Sequence, residues 1–248
     1  MKSMQSLGHS IRFFIQVLCA VPVNRQDYRQ IIDQCWSASV LSLLIIGISA
    51  VFVGLVLSMQ LAIMLERFGS VDWVSKVVCL TIMRELGPVM TALLFISRFA
   101  SSVAAEIGLM QATEQIISLK AMAVDPLRYV LFPRLLAGLI GLPTLFLIFT
   151  SLSILGAYFM MVNILGHDGH LFWLNVSDGV YYADLRLGLL KSFIFAMIVM
   201  LISLYQGYFV NHNPKSVAMA STKTVVYASL MVLISDFLVT AFWLQGDL

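Results

Sequence analysis

The sequence predicts an all-α integral membrane protein: a helix lying on the membrane surface, five transmembrane helices, and one short helix on the cytoplasmic side. Three observations carry this. Of the 248 residues, 60% are hydrophobic and 11% charged, against about 25% charged in a soluble domain. A core of this size cannot hide so much apolar surface from water. The chain also holds five runs long enough to cross a hydrocarbon layer, which takes about 20 mainly apolar residues. Finally, lysine and arginine are shared unequally between the two sides of those runs. The net charge of +2 is small and scattered, unlike the clustered basic face of a nucleic-acid-binding protein.

Residues 1–33 form the surface helix. Lys2 ahead of the apolar stretch from Phe13 to Val23 has some likeness to a secretion signal. However, Arg12 abuts that stretch, no small-x-small cleavage pattern follows, and Leu18 before Cys19 is a poor lipoprotein site. An uncleaved helix fits better, with Phe13, Phe14, Val17 and Leu18 on its apolar side. Cys19, Cys35 and Cys79 lack metal-ligand spacing and read as small apolar fillers.

The first span, 34–65, is uncharged, and the second, 73–98, is interrupted midway by Arg84 and Glu85. A third span, 135–165, is again uncharged. The fourth, 184–208, carries Arg186 and Lys191, and the fifth, 224–244, carries Asp236. With the N-terminus in the cytoplasm, ten cations fall inside: Lys2, Arg12, Arg25, Arg29, Arg98, Lys120, Arg128, Arg134, Lys215 and Lys223. Arg67 and Lys76 fall outside, and Arg186 at most adds a third. The N-terminus is therefore placed in the cytoplasm and the C-terminus on the opposite side.

Residues 112–125 give the short cytoplasmic helix. Thr113 is suited to cap it, and Glu114 to sit against the positive end of its dipole. Ile116, Ile117, Met122 and Val124 supply an apolar component, while Glu114, Lys120 and Asp125 stay polar. Pro126 disfavours helix at Asp125 and ends the element about there. Such a helix either docks a soluble partner or rests on the bilayer, and both readings stand.

Each ionisable residue at mid-span costs roughly 2.5–3.5 kcal/mol on the insertion scale. Arg84 and Glu85 point about 100° apart on an α-helix, so they are not a simple mutual pair. Pro88 removes the hydrogen bond to the Arg84 carbonyl, a loss tolerated where protein or water can satisfy that group. The two charges therefore either line a hydrated substrate space or make structural pairs, such as Glu85 with Lys191 or Arg84 with Asp236. Lys191 has the reach to snorkel to the outer surface, and Asp236 reads as a helix–helix partner. Leu57, Leu61 and Met64 form a stripe that either lines a lipid-sized cavity or packs between helices. Gly47, Gly54 and Ser58 read as close-approach positions. His167 and His170 in "HDGH" lie in an external polar loop without further ligands nearby, and read as a solvated turn rather than a metal site.

No phosphate loop is present, and "GLLKS" at Gly188 has the wrong spacing. G-x-S-x-G and H-E-x-x-H are also absent. The chain therefore has no catalytic residues of its own and is not expected to hydrolyse ATP.

"RELGP" (Arg84 to Pro88), "AEIGLM", "ATEQI" and "MAVDPL" (Met122 to Leu127) occur in order. With "NRQDYRQ", "LLKS", "TKTVVYASL" and "DFLVTA" they extend over nearly the whole chain. Together they resemble the permease family of ABC phospholipid transporters that maintain lipid asymmetry with mammalian-cell-entry (Mce) domain proteins. The resemblance implies a homodimer of five-span subunits in a bacterial inner membrane, each with an N-terminal elbow helix. It implies glycerophospholipid as substrate and a periplasmic Mce-domain ring. It also implies a cytoplasmic ATPase dimer holding the ATP and Mg, with no cofactor in this chain. Arg84, Glu85 and Lys191 correspond to polar cavity positions and Lys223 to a basic one; Leu57, Leu61 and Met64 join them as candidate substrate contacts on their helical spacing alone. Residues 112–125 become a coupling helix, with Thr113, Glu114, Ile117, Lys120, Asp125 and Arg128 as candidate ATPase contacts.

Two departures stand out. "SRFASSV" replaces the family's usual "GRAGSA", so Phe99 and Ser101 occupy small positions. Lys223 stands where arginine is common, which keeps the charge but not the bidentate fork. A gradient-driven ion or proton carrier using Glu85, Lys191 and Asp236 is the competing reading, and a non-transporting scaffold is a third.

Overall fold

The computed structural model describes residues 16–17, 25–70, 73–210 and 213–246. From Arg25 onward the described residues form seven helical elements in order: α1 Arg25–Glu66, α2 Trp73–Ala112, α3 Gln115–Ala121, α4 Leu127–Ile164, α5 Gly169–Gly179, α6 Tyr182–Tyr208 and α7 Pro214–Gly246. Five of them, α1, α2, α4, α6 and α7, contain stretches long and apolar enough to cross a membrane, and no strand occurs among the described residues. This is an all-α integral membrane protein. The expected surface helix falls mostly outside the described residues, including Phe13, Phe14, Leu18 and Cys19; Gln16 and Val17 are helical and Val17 is buried.

The helices outrun the apolar stretches that announced them. α1 begins at Arg25 rather than Gln34, α2 continues past Arg98 to Ala112, α4 begins at Leu127 and α7 at Pro214. A charge makes a poor membrane residue, but it does not stop a helix. Stops need a backbone event. Gly69, at φ +68°, ends α1: Ser70 N–H donates to the Leu65 carbonyl and Gly69 N–H to Glu66, the paired bonds of a Schellman turn.

α2 and α4 are not uniform. Within α2, Ile82–Leu86 and Ile96–Ala100 are wider π-type turns, and α4 both opens and closes with one. Such turns inside long helices recur at functional sites.

The chain divides into two compact units, and each spanning helix contributes to both. The first contains 95–141 and 195–235 with the chain up to Ser42. Its core holds Phe95, Ile96, Phe99, Val103, Ile107, Leu131, Leu135 and Phe195. Phe99, which the sequence marked as oversized, is accommodated there with its ring 5.1 Å from that of Phe95. Ser203 Oγ donates to the Ala100 carbonyl at 2.6 Å and ties α6 to α2.

The second unit contains 43–94, 142–194 and the chain from Asp236. Its core gathers Val74, Val78, Cys79, Ile82, Ile154, Ala157, Met161 and Phe172. Cys79 is a buried apolar filler, as read. Gly54 is a true close-approach position, since a Cβ there would overlap the Ser153 carbonyl of α4. Ser58, by contrast, turns its hydroxyl back to the Gly54 carbonyl of its own helix at 2.8 Å.

Candidate functional site

Arg84, Glu85, Asp184, Lys191 and Asp236 all lie within the second unit, and their ion pairs form around the π-type turn of α2. Gly87 N–H reaches back five residues to the Ile82 carbonyl. The disturbance expected from Pro88 is therefore a widened turn that carries Arg84 and Glu85. Gly87 and Gly188 let the neighbouring helices close on it. A Cβ at Gly188 of α6 would strike the Met83 carbonyl, and one at Gly87 would strike Phe146 and Thr150 of α4. Lys191 lies three residues after Gly188, on the same face of α6, and so is held at the turn.

Lys191 is 0% exposed and all three of its donors are used. Nζ stands 2.7 Å from Glu85 Oε2, 2.9 Å from Asp236 Oδ1 and 2.7 Å from Thr240 Oγ1. Thr240 Oγ1 in turn lies 2.9 Å from the Asp236 carbonyl and 3.3 Å from Glu85 Oε1. This fulfils the Glu85–Lys191 pairing and removes the snorkelling of Lys191, because three acceptors inside the protein outcompete the distant surface.

Arg84 does not pair with Asp236. Its Nε and Nη2 both converge on Asp184 Oδ1. Asp184, 1% exposed, accepts the Tyr181 N–H on its other oxygen at 2.8 Å. It thereby caps the start of α6 from the first turn, where a carboxylate is favoured. The Arg84 side chain remains 43% exposed. Asp184 and Thr240 were both missed from sequence. Asp184 heads the fourth span, and Thr240 follows Asp236 by one helical turn.

Beside the same stretch of α2 lies an open apolar groove of about 370 Å³, lined by Phe52, Val56, Leu57, Gln60, Leu86 and Met90 among others. Of the predicted stripe only Leu57 lines it. Leu61 packs on the core around Val78, and Met64 is 61% exposed. Leu57 packs on that same core as well, so the stripe holds for Leu57 and Leu61 and is lost at Met64. Lys223 is exposed and belongs to the first unit.

The short helix, also in the first unit, differs from its forecast at both ends. Thr113 closes α2 instead of capping α3, with Oγ1 donating to the Leu109 carbonyl at 2.8 Å. Glu114 takes the N-cap position at φ +60°. α3 ends at Ala121, before Asp125, because Ala123 adopts φ +58° and completes a Schellman-type turn to Leu119 and Lys120. Asp125 Oδ1 accepts the Leu127 N–H at 3.0 Å, at the start of α4. Ile116 is buried while Ile117 is exposed, and Lys120 Nζ lies 5.9 Å from the Tyr208 ring centre. Arg128 buries Nε and Nη2 without a hydrogen-bond partner among the described residues.

"HDGH", read as a solvated turn, is the start of a helix: Asp168 accepts the His170 N–H at 2.8 Å and caps α5.

Residues 31–242 match the family model described as Permease MlaE. Among its relatives, the intermembrane phospholipid transport system permease protein MlaE of Haemophilus influenzae is 40% identical over 96% of this chain and 91% of its own. A probable ABC transporter permease protein of Rickettsia bellii is 32% identical over 95% of this chain and 91% of its own. Another, ycf63 of Pyropia yezoensis, is 28% identical over 98% and 93%. With the family's model spanning most of its length and its motifs carried on the π-turn helix, this chain belongs to the MlaE permease family.

Proposed function

We propose that this chain is the membrane permease subunit of an ATP-driven transporter of glycerophospholipids. The observation that carries the reading is Arg84. Its guanidinium is anchored on one edge by buried Asp184, and the side chain is left partly exposed, on the helix that also lines the apolar groove at Leu86 and Met90. A planar guanidinium suits a phosphate, and the groove suits acyl chains. The Haemophilus relative is named for phospholipid transport between membranes, and this chain is assigned the same cargo.

Two copies would face each other in the bacterial inner membrane, with N-termini in the cytoplasm and C-termini in the periplasm. An ATPase dimer holding ATP and Mg would engage α3 through Ile117, Lys120 and their neighbours. A periplasmic Mce-domain protein would exchange lipid with the pair, contributing to outer-membrane lipid asymmetry. A gradient-driven carrier is disfavoured by the family.

The test is reconstitution of the complex in vesicles with isotope-labelled phospholipid. Arg84→Lys keeps a charge for Asp184 but loses the fork. Lipid transfer should fall about tenfold, roughly 1.4 kcal/mol of lost stabilisation, while ATP hydrolysis persists. Transfer that is unaffected, or driven by a proton gradient without ATP, would sink the proposal.

A further inference from the structure

A second cavity, with polar lining, lies in the same unit, and no residue of the ionic cluster is among its lining residues. It is half-open, holds about 250 Å³, and is lined by Trp73, Lys76, Asn175 and Asp178. Trp73 and Lys76 sit three residues apart on the first turn of α2, and Asn175 and Asp178 three apart near the end of α5. Each pair therefore shares a helix face. The two helix ends meet there because Gly179 has no side chain, and a Cβ would overlap the aliphatic stem of Lys76. The stem thus runs over the α5 backbone, and the ammonium stands 5.1 Å from the Trp73 ring centre.

The surroundings are those of a membrane–water boundary. Trp73 and Tyr182, which open α2 and α6, are exposed, as are Trp173 and Tyr181. Tryptophan and tyrosine concentrate at that boundary. α5 buries Phe172 and exposes Leu171, Trp173 and Leu174, the pattern of a helix lying in the interfacial plane.

Lys76 and Asp178 oppose one positive and one negative charge across this cavity, and neither is in an ion pair among the described residues. We propose that the cavity binds the head group of a zwitterionic phospholipid of the surrounding membrane, with phosphate at Lys76, ammonium at Asp178 and the Trp73 ring alongside. An inorganic phosphate or an anionic glycerol head group would satisfy Lys76 but face repulsion from Asp178. The proposal rests on α2 and α6 spanning the membrane, not on transport.

The test uses the full chain in nanodiscs of equal phosphatidylethanolamine and phosphatidylglycerol, with retained lipids counted by native mass spectrometry after mild detergent release. The wild type should retain phosphatidylethanolamine preferentially. Asp178→Asn should narrow that preference about fivefold, and Lys76→Gln should lower retention of both lipids by a similar factor, while Lys76→Arg restores it. Unchanged unfolding temperatures would show that the variants fold. No preference in the wild type, or the same preference in Asp178→Asn, overturns the proposal. A chain that fails to transfer lipid but keeps this Asp178-dependent preference fails the transport reading alone.

Discussion

Arg84 and Glu85 are neighbours in sequence, yet the ionic arrangements they enter are inverted in burial. Around Glu85, the buried ion is the cation: Lys191 is 0% exposed, held by Glu85 at 40% and Asp236 at 21%. Around Arg84, the buried ion is the anion: Asp184 is 1% exposed, held by an arginine side chain at 43%. The triad is redundant, because either carboxylate still leaves Lys191 a charged partner. The pair is not. Removing one partner of a buried ion pair leaves an uncompensated charge and costs about 3–5 kcal/mol. The damaging deletion is therefore the one that strands the buried ion, and often removes the more exposed residue.

The largest expected effect comes from defeating the redundancy. The double variant Glu85→Gln with Asp236→Asn leaves Lys191 only neutral acceptors, and should cost about 4 kcal/mol. Measured by denaturation in detergent, the loss should exceed the sum of the two single variants, as expected for groups sharing one network. Strict additivity would mean that the two carboxylates contribute independently and that neither backs up the other.

Next in size is Arg84→Ala, which strands Asp184. The Tyr181 N–H and the positive end of α6 still favour the carboxylate, so the cost should fall at the low end, about 3 kcal/mol. Arg84→Lys should recover most of that stability. If Arg84→Ala is as stable as wild type, water entering the space left by the guanidinium has replaced it.

The same contrast shows what was legible in the residues alone. A charge inside an uncharged run is visible at once, so Arg84, Glu85, Lys191 and Asp236 could all be singled out. Their pairing depends on how each helix is rotated, and that is set by a π-type turn and by Gly188. Glu85 with Lys191 was among the candidates, but Arg84 was matched to the wrong aspartate. Asp184 looked like a boundary charge, although a carboxylate in the first turn of a helix commonly reaches back to cap it. The five spans could be read because apolar length has few explanations. The connections could not: Glu114 and Ala123 adopt the left-handed region without being glycine, and no propensity announces that. α5 hid in a stretch taken for a polar loop, although Asp168 followed by Leu171, Phe172, Trp173 and Leu174 is a capped apolar run.

The smallest effect is the one that best tests redundancy. Asp236→Asn alone keeps an amide oxygen where Oδ1 accepts from Lys191 at 2.9 Å, and leaves Glu85 at 2.7 Å and Thr240 at 2.7 Å in place. Only the charge assistance of one bond is lost, so the cost should be about 1 kcal/mol. The variant also turns a group of formal charge −1, two carboxylates around one ammonium, into a neutral one. If the triad only holds α2, α6 and α7 together, lipid transfer should track this small loss of stability. A transfer defect far larger than the loss of stability would instead mean that the surplus negative charge acts on the cargo, and that Glu85, its more exposed carboxylate, is where the cargo meets it.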